Sequence, residues 1–100
     1  MPEVRNAPDA HRYEIVQDGA VAGFAEYMEV RGDRIVFTHT EIDPAFEGRG
    51  LGSTLIAFAL EDARDREQQI VPICPFVAKY VHAHPEYVPF LDPRIRPAFE

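Results

Sequence analysis

Residues 34–60 read RIVFTHTEIDPAFEGRGLGSTLIAFAL, and the character of the chain changes twice within them. Arg34 to Ile42 is rich in β-branched and aromatic residues, the composition of a strand. Pro44 stops that strand, because proline cannot donate to a ladder. From Gly50 to about Glu67 the pattern turns helical. Leu51, Leu55, Phe58 and Ala59 make one stripe, with Ile56, Leu60 and Ala63 beside it. Ser53, Ala57, Glu61, Arg64 and Gln68 form a narrower, wetter face, so the arc suits a helix laid on a sheet. Between strand and helix stand Glu47-Gly48-Arg49-Gly50-Leu51-Gly52-Ser53. Glycines there permit positive φ and let a ligand approach the backbone closely. The partnerless N–H groups of the first helical turn, together with the helix dipole, form an anion site. A pyrophosphate is its natural occupant.

Upstream lie two hairpins. His11 to Val16 alternates as a half-buried strand, and Gln17-Asp18-Gly19 has turn chemistry. Ala20 to Val30 is a second strand, with Phe24, Met28 and Val30 sharing one parity, and Arg31-Gly32-Asp33 is a second turn. Downstream, Ile70 to Cys74 reads as a short strand in which Pro72 marks an edge or a bulge. Pro75 opens a second helix, Phe76 to about His84, which Pro85 ends. Met1 to Ala10 reads as an irregular lead-in and Asp92 to Glu100 as an irregular exit. The expected fold is α/β (α+β) in composition: a small twisted, mostly antiparallel sheet with two helices in the order β-β-β-α-β-α. The last strand returns after a helix, so it is expected parallel to the third.

The length of 100 residues fits one domain, spanning 1–100 with its core at about 11–90. Ten Lys+Arg against seventeen Asp+Glu give a net charge of −7, which argues against a nucleic-acid backbone as partner. The single cysteine, Cys74, leaves no intramolecular disulfide to build on. Leu51 to Leu60 is far short of the roughly 20 residues that cross a bilayer. These features point to a soluble cytoplasmic protein without nucleic-acid or membrane partners.

Three familiar loops compete for the glycine segment. A P-loop needs Lys-Ser/Thr after its last glycine, whereas Ser53-Thr54 follows Gly52. A dinucleotide fingerprint sits early in a βαβ repeat, whereas this loop follows a meander. The stretch Thr40 to Gly52 instead resembles the acetyl-coenzyme A loop of the GNAT acetyltransferase superfamily: an aliphatic strand end, a proline, then Arg/Gln-Gly-x-Gly-x-Gly/Ala opening a helix. Pro72-Ile73-Cys74-Pro75-Phe76-Val77-Ala78-Lys79-Tyr80 and His84-Pro85-Glu86-Tyr87 extend the resemblance to the short single-domain GNAT-like proteins. Two departures stand out. Glu47 occupies a place where Arg or Gln is usual, with Arg49 as counterweight to its charge. The turn at Asp18-Gly19 replaces the helices that cover the acceptor in larger members.

The resemblance implies a minimal GNAT fold and an N-acetyltransferase using acetyl-CoA on an amine. The acidic charge permits a small polyamine, a basic peptide or a protein lysine as acceptor and chooses none of them. Gly48, Arg49, Gly50, Leu51, Gly52 and Ser53, with Glu47, would bind the pyrophosphate, and the main chain of Thr40 and Ile42 the pantetheine arm. Tyr80 falls where the family often places the acid that protonates the coenzyme thiolate; the plain alternative is a half-buried aromatic. Cys74 precedes a helix N-terminus, a position that favours a thiolate, so an acetyl-Cys74 intermediate stands beside a buried small hydrophobe. His39 and Glu41 continue the parity of Ile35 and Phe37 and are candidate general bases, or else polar groups at the sheet rim. His82 and His84 lack a third ligand, so no metal is expected. The rivals to the enzyme are a coenzyme A-binding module without catalysis and an interaction domain without cofactor. Oligomeric state is not encoded in any of these features.

Overall fold

A computed structural model describes residues 2–100. Five strands, β1 (Glu3–Ala7), β2 (Arg12–Gln17), β3 (Ala20–Val30), β4 (Arg34–Ile42) and β5 (Gln69–Pro72), form one sheet in that spatial order. Neighbours are antiparallel except β4 and β5, which are parallel, as a crossover through a helix requires. Helix α1 (Leu51–Asp65) makes that crossover, and α2 (Pro75–Ala83) follows β5. The sheet, its mixed pairing and the two α-helices match the expected fold.

One strand precedes the expected order. Within the segment read as an irregular lead-in, Glu3–Ala7 pairs with β2, and only Met1 of that segment lies outside the described residues. Pro2 and Pro8 bracket it, which an edge strand tolerates because its outer N–H groups have no ladder to join. Inward, Asn6 Oδ1 accepts the Tyr27 hydroxyl at 2.6 Å; outward, Arg5 donates twice to Glu14, at 2.8 and 3.0 Å.

Both helices cover one face of the sheet. Leu55, Ala59 and Leu60 of α1 and Val77 and Val81 of α2 join Tyr13, Ile15, Tyr27, Ile35 and Phe37 in one core. Phe58 departs from the expected stripe: it is 42% exposed at the rim of the arc, edge-on to Tyr13. Tyr13 is tied to α1 by a 2.6 Å bond from its hydroxyl to Asp62, and burial first, then that carboxylate, pushes its pKa far up. In β3 Ala22, Ala25 and Tyr27 join the core, while Phe24, Met28 and Val30 share the opposite face, which no helix covers among the described residues. The C-terminal residues close the outer edge of β5, with Leu91 bridging Ile70 and the Asp92 N–H donating to the Ile70 carbonyl at 2.9 Å.

Candidate active site

The site begins where β4 and β5 part. They pair from Arg34↔Gln69 to Phe37↔Pro72 and no further. The β3–β4 register runs Tyr27↔Phe37 and then Glu26↔His39, so Thr38 is an extra residue, a bulge that bends β4. It also reverses the parity of the remainder of the strand. His39 and Glu41 therefore do not continue the face of Ile35 and Phe37, as the sequence suggested; Thr40 and Ile42 do. His39 and Glu41 stand instead on the open face, joined to each other at 3.1 Å, with the His39 ring 6.3 Å from Phe24. Asp43 N–H donates to the Ala22 carbonyl at 2.7 Å, and strand alternation then turns the N–H and C=O groups of Ile42 and Thr40 away from β3, into the gap.

Cys74 sits at the crotch of this gap. Its N–H donates to the Phe37 carbonyl at 2.8 Å, its carbonyl accepts the Ala78 N–H at 2.9 Å, and its thiol donates to Thr40 Oγ1 at 3.3 Å. Only 3% of it is exposed. It packs as a small buried side chain and also touches the gap through Thr40.

The glycine loop borders the same gap. Gly48 and Gly50 have φ of 81° and 72°, and a Cβ at either would meet nothing within 4 Å, so the space before them is open. Gly52 is different. A Cβ there would lie 2.5 Å from Phe76 Cζ, because that ring lies against the first turn of α1. No side chain caps α1, and Thr54 is the first residue whose N–H finds a main-chain partner, Gly50 O at 3.3 Å. Among the described residues, the N–H groups of Gly48 to Ser53 have no acceptor in the chain. Such a row of bare amides at a helix start fits a pyrophosphate. Arg49 reaches toward Asp18 only at 3.9 Å and rests over the Phe46 ring, which leaves its charge free to turn toward an anion.

Three spaces surround these groups. A 360 Å³ cavity between loop and Phe76 is lined by Thr40, Ile42, Glu47, Gly48, Gly50 and Gly52. Beyond Phe76 and Ser53 lies a second, of 290 Å³, bounded by Lys79, Tyr80 and His84. A 640 Å³ groove on the open face shares Thr40, Ile42 and Glu47 with the first. The structure thus gathers Thr40, Ile42, Cys74 and the glycine loop, and it puts Tyr80 one cavity away. Tyr80 stacks on His84 at 4.0 Å and lies beside Tyr87, with ring centroids 6.0 Å apart; the Tyr87 hydroxyl donates to Glu61 at 3.0 Å. Burial raises the pKa of Tyr80, so the phenol holds its proton at neutral pH. Phe76 and Lys79 line these spaces without having been singled out from sequence. The signal for Phe76 is Gly52, a bare position on a helix that an aromatic ring must fill from another element.

Comparison with known proteins agrees with this geometry. A GCN5-like candidate N-acetyltransferase from Staphylococcus aureus, solved by NMR in solution, superposes with a TM-score of 0.68 over 90% of this chain and 87% of its own, at 20% identity. That likeness concerns the fold. Among curated proteins no significant match is found. The sequence pattern of the GCN5-related N-acetyl-transferase family, however, matches residues 12–90. The chain is therefore a member of the GCN5-related N-acetyltransferase family.

Proposed function

We propose that the protein transfers the acetyl group of acetyl-CoA directly to an amine. The observation that carries this reading is the row of unbonded amides from Gly48 to Ser53 opening beside the parted strands. Those amides and Arg49 would hold the pyrophosphate, and the main chain of Thr40 and Ile42 would align the pantetheine arm. Acetyl-CoA supplies an activated thioester carbonyl; proximity and orientation supply much of the rate. An N–H in the gap near Ile42 would donate to the carbonyl oxygen as negative charge develops on it. Glu41, His39 or water would take the proton of the attacking amine on the open face, and Tyr80 would give one to the departing sulfur. The unpaired Cys74 suits a reducing compartment, the cytoplasm.

A second route, through acetyl-Cys74, has one observation in its favour: the thiol is 3.3 Å from Thr40 at the crotch of the gap. Amide exchange tests the reading at its base. Saturating acetyl-CoA is expected to protect the amides of Gly48 to Ser53, and coenzyme A release is expected to depend on added amine and to fall in Tyr80→Phe. Protection without turnover over a broad amine panel means a binding module. No protection removes the cofactor altogether. Intact mass after rapid quenching distinguishes direct transfer, which leaves the protein unmodified, from the cysteine route.

A further inference from the structure

We infer that the 640 Å³ groove on the open face of the sheet is the acceptor site, and that it takes a linear aliphatic polyamine. This rests on the reading of the gap as the place of acetyl transfer. The groove and the loop-side cavity meet at one strand end, since Thr40, Ile42 and Glu47 belong to both. A nucleophile lying in one and a thioester lying in the other would therefore come together across the end of β4.

The lining selects the nucleophile. Glu41, Asp43 and Glu47 are exposed carboxylates along one wall. Among the described residues the groove's one cation is Arg12, whose guanidinium is engaged by Glu14 at 2.7 Å and lies over the Phe24 ring at 4.5 Å. Phe24 offers an apolar surface to methylenes. Carboxylates spread over a strand end and a loop can meet more than one ammonium at once, which a single lysine side chain cannot supply. Among the described residues no helix closes the groove, because the β2–β3 connection is only the turn at Asp18-Gly19, so a long flexible chain can lie along it. In the transfer the N–C bond forms as the C–S bond breaks; one amine proton leaves through Glu41 to solvent, and the sulfur takes one from Tyr80.

The test is a set of separate titrations of the ¹⁵N-labelled chain, at constant ionic strength, with spermidine, butylamine, a lysine-containing peptide and acetyl-CoA. Spermidine is expected to give saturable shifts centred on Phe24, Glu41 and Ile42, with butylamine and the peptide far weaker. Glu41→Gln with Asp43→Asn is expected to weaken spermidine roughly tenfold, about threefold for each exposed carboxylate. Shifts that do not saturate, that scatter over the acidic surface, or that are equally strong for butylamine or the peptide overturn the assignment. Acetyl-CoA reads out separately on Gly48 to Ser53. If those amides stay silent while spermidine saturates, the transfer reading has failed and the groove is a polyamine site but not an acceptor site.

Discussion

The two halves of β4 differ in what holds them. Over Arg34 to Phe37 the strand is bonded on both sides, to β3 and β5, and Ile35 and Phe37 are 1% exposed. Over Thr38 to Ile42 it is bonded on one side only, and its inward residues are half-buried. The first half is ordinary sheet interior. The second keeps main-chain groups free on one edge, which is a liability in a sheet unless something occupies it. On the proposed function, stability and binding are divided along one strand, and the division falls at Thr38.

The largest expected effect lies in the doubly bonded half. Phe37→Ala removes a ring packed among Tyr13 and Tyr27, with centroids at 6.2 and 6.3 Å, and is expected to cost about 3–5 kcal/mol in urea unfolding. A loss below about 1 kcal/mol would mean that the core does not centre there. Gly23→Ala probes the singly bonded half. An added Cβ would run into the Ile42 side chain and lie 2.6 Å from the Glu41 carbonyl, so β4 would have to move off β3. Overpacking of this kind costs about 1–3 kcal/mol. If Gly23→Ala instead leaves the unfolding midpoint unchanged, the end of β4 is looser than its packing implies.

This division was only half legible in the sequence. The strand–glycine–helix unit was legible because it is local: β-branched residues, a proline stop, then apolar residues at helical spacing, and α1 runs Leu51–Asp65 within the expected span. The bulge was not, since Thr38 has neither the glycine nor the proline that flags an irregular strand. A signal existed in the parity, where apolar residues move from odd Ile35 and Phe37 to even Ile42, a change that needs one extra residue. Strand β1 escaped notice because its inward positions are only Val4 and Asn6 between two prolines, too short a pattern to stand out. The contact of Phe76 on Gly52 joins two helices 24 positions apart along the chain, and no local pattern carries it.

A smaller effect concerns the open face beside the free half. Glu14 is 6% exposed and accepts from both Arg5 and Arg12. The Arg5 hydrogen bond is the main cause of its lowered pKa, with Arg12 adding to it against the cost of burial. A folded-state pKa below the unfolded value means that the contribution is complete above about pH 4.5, the ordinary carboxyl value, and is lost as pH falls through the folded-state pKa. Glu14→Gln is expected to cost roughly 1–2 kcal/mol at neutral pH and to flatten the acid limb of the stability profile. An unchanged limb would show that the Arg5–Glu14–Arg12 cluster adds nothing to holding β1 on the sheet.

The smallest change in stability is expected from the most informative variant, deletion of Thr38. Removing the extra residue leaves Phe37, Thr40 and Ile42 on the inner face and His39 and Glu41 on the outer one, because the register on either side of the bulge is already regular. Nothing in the core is lost, so stability is expected to stay within about 1 kcal/mol of the parent. What disappears is the bend. A straight β4 can continue its parallel pairing with Ile73 and Cys74, and each new ladder bond would consume a main-chain group that now faces the gap. Acetyl-CoA binding, followed by protection of Gly48 to Ser53, is then expected to weaken sharply in a protein that folds as well as before. Deletion that destabilises the chain while leaving binding intact would mean that Thr38 serves the sheet, and that the parting of the strands has another cause.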